Sequence, residues 1–520
     1  MKSPTTIDWA SSHVVPRCNL VLEAWIPVVM LDGSRAEGGL RFILERAHEI
    51  AYIDAERPTT SSALTLLASA IVASALDDDI NGRLEALRAG LMPQRVLEYL
   101  DKYEDRFWLV HPKYPFYQCD PALPTPDLKH KPASVVLFID VPPDQKGRKL
   151  YQGPLRHRIP WQDAARCLVE IQMFDLGGPT FTHFPDKQTS KGVATHADAA
   201  IAGGGCIMTA VGQNLFNTLL INAPIRQGRD APTWERKPGY GPRLIHDAGP
   251  IAFITANPRT VLFDYTNGEI GETLFGAGEN LNSREVHYLA GFVVSFEEKK
   301  NSGMRYDKAR LGSERSSWRW SFGVLAARSN RLASTALDNL RYFARNDHVW
   351  ESAAVVMSFA GYSSKQKNVK SVDKATLVIP ASFLVGSESD ISNRTTAMHE
   401  MSKHGVAWSN KAVMAERVYR KNAEHTAIDQ VKDSTDLRAR VIALVGEVFE
   451  ETLPDLQDIG NIAKNVELFS VNVKSRVRII LERHLESGDD LRSYAIAMNY
   501  YLRESTPKSK GRTPKKGSPA

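Results

Sequence analysis

Cysteine is scarce in this 520-residue chain: four residues, at positions 18, 119, 167 and 206, none spaced as CxxC. Isolated thiols argue against a zinc ribbon and a disulfide scaffold, and they suit a reducing cytosol. An apolar run fit to cross a bilayer is also missing. Pro58–Leu76 carries seven Ser/Thr and is expected as a buried helix, while 199–225 is interrupted by Gly203–Gly205, Asn214, Asn217, Asn222 and Pro224. The opening MKSPTTIDWASSHVV has no signal-peptide core. A soluble, cytoplasmic protein is therefore expected. Compact catalytic motifs are absent as well: no GxxxxGK[ST], no GxSxG, and no carboxylates spaced for two metals. That weighs against an enzyme.

What is present is ordinary for a globular protein, with 43% hydrophobic and 24% charged residues, which excludes a largely disordered or collagen-like chain. At 57.8 kDa the chain is too long for one core, so several domains are expected. The net charge is +5. Lys508, Lys510, Arg512, Lys515 and Lys516 supply that excess from an acid-free tail, so any nucleic-acid surface must be a local patch.

No repeat of fixed period occurs. A short strand is expected within 19–29, a helix over Gly39–Ile53 from the stripe Leu40, Ile43, Leu44, Ala47 and Ile50, and helices over 62–77 and 80–105, the last interrupted near Pro93. Proline-rich loops fill 120–160. Helices are expected from Trp161 and over 212–222, then β-rich runs at PIAFIT (250–255), TVLFDY (260–265), LAGFVVSF (289–296) and SSWRWSF (316–322). Beyond about 390 the chain is nearly free of Gly and Pro. Its stripes Leu437/Val441/Leu444/Val445/Val448, Val466/Phe469/Val473/Val477/Ile480/Leu481 and Leu491/Tyr494/Ala495/Met498/Tyr501/Leu502 predict a bundle. The fold class is α+β: a large mixed N-terminal domain over 1–385, an all-α four-helix bundle over 386–505, and a disordered basic tail over 506–520.

Two tempting motifs fail on spacing. His399 and His404 in HEMSKH stand five apart, about 140° around a helix, where a shared zinc needs i and i+4. Gly276-Ala-Gly278 lacks the third glycine of a dinucleotide fingerprint and is expected as a turn. Basic runs are more informative. Lys146, Arg148, Lys149, Arg156 and Arg158 crowd one loop, and Arg226, Arg229, Arg236, Lys237 and Arg243 another. Each suits either an ordinary solvated loop or a phosphate-tracking one. Lys365-Gln366-Lys367-Asn368 lies between two β-like runs, a polar hairpin whose amide can meet base edges while lysines hold phosphates.

Six segments occur in order: LEAWIPV (22–28), GLRFILERAHEI (39–50), FWLVHPKYPFYQ (107–118), CLVEIQMFD (167–175), GGGCIMTAVGQNLFNTLLIN (203–222) and PTWERKP (232–238). Together they resemble the large subunit of the type I-E CRISPR Cascade surveillance complex, the CasA family, from about residue 19 to 503. The resemblance implies a non-catalytic subunit that recognises the PAM in double-stranded DNA, starts unwinding and R-loop formation, and helps recruit the helicase–nuclease. Its implied partners are CRISPR RNA, target DNA and the backbone, small and handle-binding subunits. On that resemblance Gly361, Tyr362 and Gln366 fit a glutamine wedge flanked by Lys365 and Lys367. Gly177 and Gly178 begin a glycine-rich loop, Lys299 and Lys300 are nearest to a lysine finger, and Lys146, Arg148 and Lys149 fall in the loop beside the RNA handle. Some relatives carry a cysteine cluster near the region matching 264–285. This chain has none there, so neither metal nor cofactor is expected. Two other readings stand beside it: a nuclease with dispersed carboxylates, which Mg²⁺-dependent cleavage would reveal, and a structural scaffold without salt-sensitive DNA binding.

Overall fold

A computed structural model describes residues 15–77, 79–121, 130–138, 158–176, 178–181, 193–196, 200–203, 205–226, 230–236, 249–279, 295–300, 303–308, 318, 335–347, 354–365, 368–423, 435–485 and 490–503. Packing divides the chain into Met1–Thr396 and Ala397–Ala520. The first is mixed α and β, and the second is helical.

The N-terminal unit is organised around the Pro58–Leu76 helix, in which sixteen of nineteen residues are buried. Pro58 sits in its first turn, where a missing N–H costs nothing. Two of its seven Ser/Thr hydroxyls bond back to its own carbonyls, Thr65 to Ser61 at 2.8 Å and Ser74 to Ala70 at 2.7 Å, and the Thr59 hydroxyl donates to Glu170. The Trp161–Phe174 and Leu215–Asn222 helices pack on it.

Small sheets surround that helix. Strands β1 (Arg17–Asn19), β2 (Ile26–Met30), β3 (Arg35–Gly38), β4 (Ile50–Ile53) and β5 (Trp108–Val110) form two of them, β1 with β5 and β2 between β3 and β4. Next come β6 (His130–Pro132), β7 (Ile159–Pro160), β8 (Gly178–Phe181), β9 (Val193–His196), β10 (Cys206–Val211), β11 (Arg259–Thr266) and β12 (Glu269–Ala277). The last four are β13 (Ser295–Lys300), β14 (Gly303–Lys308), β15 (Ala354–Lys365) and β16 (Asn368–Pro380). β12 pairs with β11, β6 and β7, and β15 lies between β10 and β16, while β8–β9 and β13–β14 are separate ribbons.

Several expectations need correction. The stripe over Gly39–Ile53 is buried throughout, but helix persists only over Leu40–Glu45, and Ile50–Ile53 pairs with β2. PIAFI is a short helix (Pro250–Ile254), because the Asp230 carboxylate accepts from the N–H groups of Ile251 (2.9 Å) and Ala252 (2.7 Å). The interruption near Pro93 separates helices Ile80–Ala89 and Gln94–Lys102. Gly276 lies within strand β12, paired with Thr260, rather than in a turn. Of LAGFVVSF only 295–296 lies within the described residues, and of SSWRWSF only Trp318, which is buried.

Four helices, Glu388–Ala423, Thr435–Thr452, Ile462–Leu485 and Leu491–Leu502, make up the C-terminal region. Leu437, Val441, Val445, Val448 and Phe449 supply one buried face, and Phe469, Val473, Val477 and Leu481 another, with Phe449 edge-on to Phe469. Leu444, Val466 and Ile480, at the margins of the expected stripes, are half-buried. In the last helix the expected stripe holds at Met498 and Tyr501, which are buried, but Ser493 and Ala497 complete the buried face and Leu491 is 80% exposed. The Tyr501 hydroxyl donates to the Lys474 carbonyl at 2.9 Å, and His404 Nδ1 meets Ser470 Oγ at 3.2 Å within the same bundle. Among the described residues no three His, Cys, Asp or Glu side chains group as a metal site. All four cysteines are free and buried, their thiols pushed up to about 12 by desolvation.

Candidate nucleic-acid interface

Strands β15 and β16 run antiparallel through twelve residue pairs, from Ala354↔Pro380 to Lys365↔Asn368. Strand β10 covers the other edge of β15 only as far as Cys206↔Gly361. Beyond Gly361, among the described residues, the two strands pair with each other alone. Lys365 lies four residues further, so the ribbon reaches about 13 Å past the three-stranded sheet at 3.3 Å per residue. Gln366 and Lys367 lie outside the described residues, between the strand ends at Lys365 and Asn368.

Glycine is required at the root of this ribbon. A Cβ on Gly361 would stand 2.6 Å from the Cys206 Cβ and 2.7 Å from the Gly205 carbonyl oxygen. The same short segment meets the helix that leads into Gly177. Ala202 N–H donates to the Met173 carbonyl at 2.8 Å, and a Cβ on Gly203 would lie 2.6 Å from the Asp175 carbonyl oxygen. Residues 200–203, 205 and 206 therefore touch both the root of the ribbon and the root of the expected glycine loop.

Arg259 fixes that second root. Its guanidinium is ion-paired with Asp175 and donates to the Leu176 carbonyl at 2.7 Å, while its backbone exchanges two 3.0 Å hydrogen bonds with the Gln172 amide. Arg259 is 2% exposed, so its guanidinium is held in place by these bonds while Asp175 remains partly exposed. Gly177 lies outside the described residues; Gly178 opens β8, which pairs with β9 and packs beside β12.

Strand β12 also carries both ends of the long basic loop. β6 pairs at Glu272–Leu274 and β7 at Glu269–Ile270. Arg158, the last cation of that loop, pairs with Asp264 at 3.2 Å. Lys146, Arg148, Lys149 and Arg156 fall in 139–157, outside the described residues. Lys299 and Lys300 end β13, opposite Met304 and Gly303 of β14. They sit on a different sheet from Lys365.

The second basic run is consumed structurally where it is described. Arg226 pairs with Glu235 at 2.6 Å, and Arg236 with Glu279 at 2.7 Å. Arg229, Lys237, Arg243 and the tail 506–520 lie outside the described residues. Arg259 was missed in the sequence because its partner Asp175 is 84 positions away; the consecutive glycines 203–205 were the one local sign of a close backbone approach.

The family model described as CRISPR-associated protein Cse1 matches residues 19–472. A CasA/Cse1 protein of Thermus thermophilus is 27% identical over 425 residues, covering 77% of this chain and 79% of its own length. Among solved structures, Thermobifida fusca Cse1 superposes with a TM-score of 0.72 at 18% identity, covering 94% of this chain and 96% of that one. A chain of a CRISPR RNA-guided surveillance complex gives a TM-score of 0.59 at 16% identity, covering 94% and 99%.

Proposed function

The chain belongs to the CRISPR-associated protein Cse1 family, and from that membership we propose that it is the non-catalytic large subunit of a type I-E CRISPR RNA-guided surveillance complex. In this reading it recognises the PAM in double-stranded DNA, begins R-loop formation and helps recruit the helicase–nuclease for antiviral defence. CRISPR RNA and the backbone, small and handle-binding subunits are its partners. No step requires a metal or cofactor from this chain.

The observation that carries the proposal is the ribbon projecting past Gly361, with Gln366 and Lys367 between its strand ends. Separating a base pair beside the PAM loses roughly 1–2 kcal/mol of stacking per step before guide pairing returns it. A wedge at the first step lowers the barrier to nucleation more than it changes the final hybrid. Lys365 and Lys367 supply phosphate contacts, and Gln366 takes the space of the separated pair. The glycine loop at Gly177–Gly178 shares its mount with the ribbon through residues 200–203, 205 and 206, which supports joint reading of one DNA segment. Lys299 or Lys300 supplies a further cation, and Lys146, Arg148 and Lys149 face the RNA handle.

Gln366→Ala separates these roles. The assembled complex carrying it should form R-loops slowly on intact duplex, and close to normally on a target with a bubble already open beside the PAM. An equal defect on both substrates would assign Gln366 to binding rather than opening, and no defect on either would leave the hairpin without a role.

A further inference from the structure

Residues 114–118 of the HPKYPFYQ stretch line a small cleft, partly open to solvent, that none of the DNA-reading elements uses. Arg106, Tyr114, Tyr117, Trp234, Arg236 and Asn257 line it. Its polar groups are incompletely satisfied. Arg236 gives Glu279 two bonds (2.7 and 3.2 Å) and Thr233 Oγ1 one (2.7 Å), yet its Nε is buried without a partner. Asn257 donates its backbone N–H to Glu279 at 2.9 Å, but its side-chain oxygen is also buried and unpartnered. The Tyr117 hydroxyl is the third such group, on a residue only 3% exposed. One donor, one acceptor and one group able to do either thus line a single cleft, and each costs about 1–3 kcal/mol if left unpaired.

Two further features point to a ligand. Tyr117 has φ +53°, a left-handed conformation uncommon for a bulky residue. Arg106 spans Tyr114 with its guanidinium 4.7 Å from the ring centroid, donates once to the Arg236 carbonyl (2.9 Å), and makes no ion pair among the described residues. Glu279 balances Arg236 and Asp175 balances Arg259, so Arg106 leaves the cleft with one positive charge in excess. Aromatic walls, alternating donor and acceptor, and one unbalanced guanidinium match a flat heteroaromatic ring joined to an anion. We propose that this cleft takes a single unstacked nucleotide, with the base edge on Tyr117, Asn257 and Arg236 and the phosphate on Arg106. A nucleotide turned out of a single strand meets that description.

The experiment titrates the purified full-length chain with each of the four ribonucleoside 5′-monophosphates, with adenosine and with inorganic phosphate, by calorimetry. The expected result is saturable binding of monophosphates, with adenosine and phosphate each at least about tenfold weaker. Arg106→Ala should weaken the monophosphates about tenfold while leaving adenosine unchanged, and Tyr117→Phe should weaken both about tenfold without lowering the melting temperature. The proposal is overturned if the wild-type chain binds no monophosphate saturably, which is the outcome if ordered water alone fills the cleft. It is overturned equally if phosphate alone binds as well as the nucleotides, or if both variants bind unchanged. Should a variant fail to fold, the wild-type titration decides alone. A negative result leaves the Gln366 reading intact, since that rests on a different element.

Discussion

His111 shows how much one side chain fixes. Its ring is buried, and Nδ1 accepts from the backbone N–H groups of Lys113 (3.1 Å) and Tyr114 (2.8 Å). A nitrogen accepting two N–H groups carries no proton, so the proton sits on Nε2, 3.3 Å from Asp105. Burial lowers the histidine below its ordinary 6.5, against the opposing pull of Asp105. Protonating Nδ1 would break the turn that sets Tyr114 under Arg106. The sign follows directly. Between the lowered value and 6.5 the unfolded chain binds more protons than the folded one, so stability falls as pH drops through that window. Thermal melts in a pH series descending from 6.5 should show this fall in the wild-type protein. His111→Asn keeps an acceptor without the titration and should show a shallower slope; identical slopes would mean that other groups dominate.

At the scale of elements, the joint between the Pro58–Leu76 and Trp161–Phe174 helices depends on one carboxylate. Glu170 has no exposed surface and accepts from Arg57 Nε at 2.9 and 3.1 Å, as well as from Arg57 Nη2 and the Thr59 hydroxyl. Arg57→Ala should therefore cost about 3–5 kcal/mol, because it strands a buried anion, while replacing both residues with methionine should recover most of that loss. Chemical denaturation of the three variants checks both statements. None of this joint was legible in the sequence, where the partners stand 113 positions apart. The elements themselves were more readable: the buried helix, the β15–β16 hairpin and the bundle helices each carry enough periodic residues to declare themselves. Where local pattern misled, long-range contacts had prevailed. Ile50–Ile53 continues a helical stripe but pairs with β2, and PIAFI has strand-like residues but is capped by Asp230, 21 and 22 positions before the N–H groups it accepts from. In the last helix, Ser493 and Ala497 are buried where larger Leu491 was expected; small residues let helices approach, which apolar bookkeeping overlooks. The flanks of the proposed wedge were legible as strands, but the mount at residues 200–203, 205 and 206 was not, since it arises from contacts among three separated segments.

For the whole molecule, the division at Thr396/Ala397 falls inside the Glu388–Ala423 helix rather than at 385/386. The first turns of that helix serve the N-terminal unit. Ser387 and Asp390 cap its start reciprocally, each backbone N–H meeting the other's side chain at 3.1 Å. One turn on, Arg394 donates to the carbonyls of Ser382 (3.1 Å) and Val385 (3.0 Å) and stacks 5.6 Å from the Phe383 ring centroid. A chain ending at Thr396 keeps these contacts and one ending at Val385 loses them. The shorter chain should be less stable by about 2–4 kcal/mol, from two charge-assisted hydrogen bonds and the burial of Ile391. Melting temperatures of the two truncations test this, and equal values would return the boundary to 385.

The ribbon beyond Gly361 is a lever with its fulcrum at the close approach of Gly361 to Cys206. An arm of about 13 Å turns a tilt of about five degrees at the fulcrum into about 1 Å of travel at the tip, enough to move an amide out of hydrogen-bonding range. Tip chemistry and tip placement are thus separable. On the proposed reading, changes at 365–368 would alter what the tip presents, whereas changes at 361, 203, 205 or 206 would alter where it is presented, and a tip grafted between relatives would work only if the fulcrum came with it.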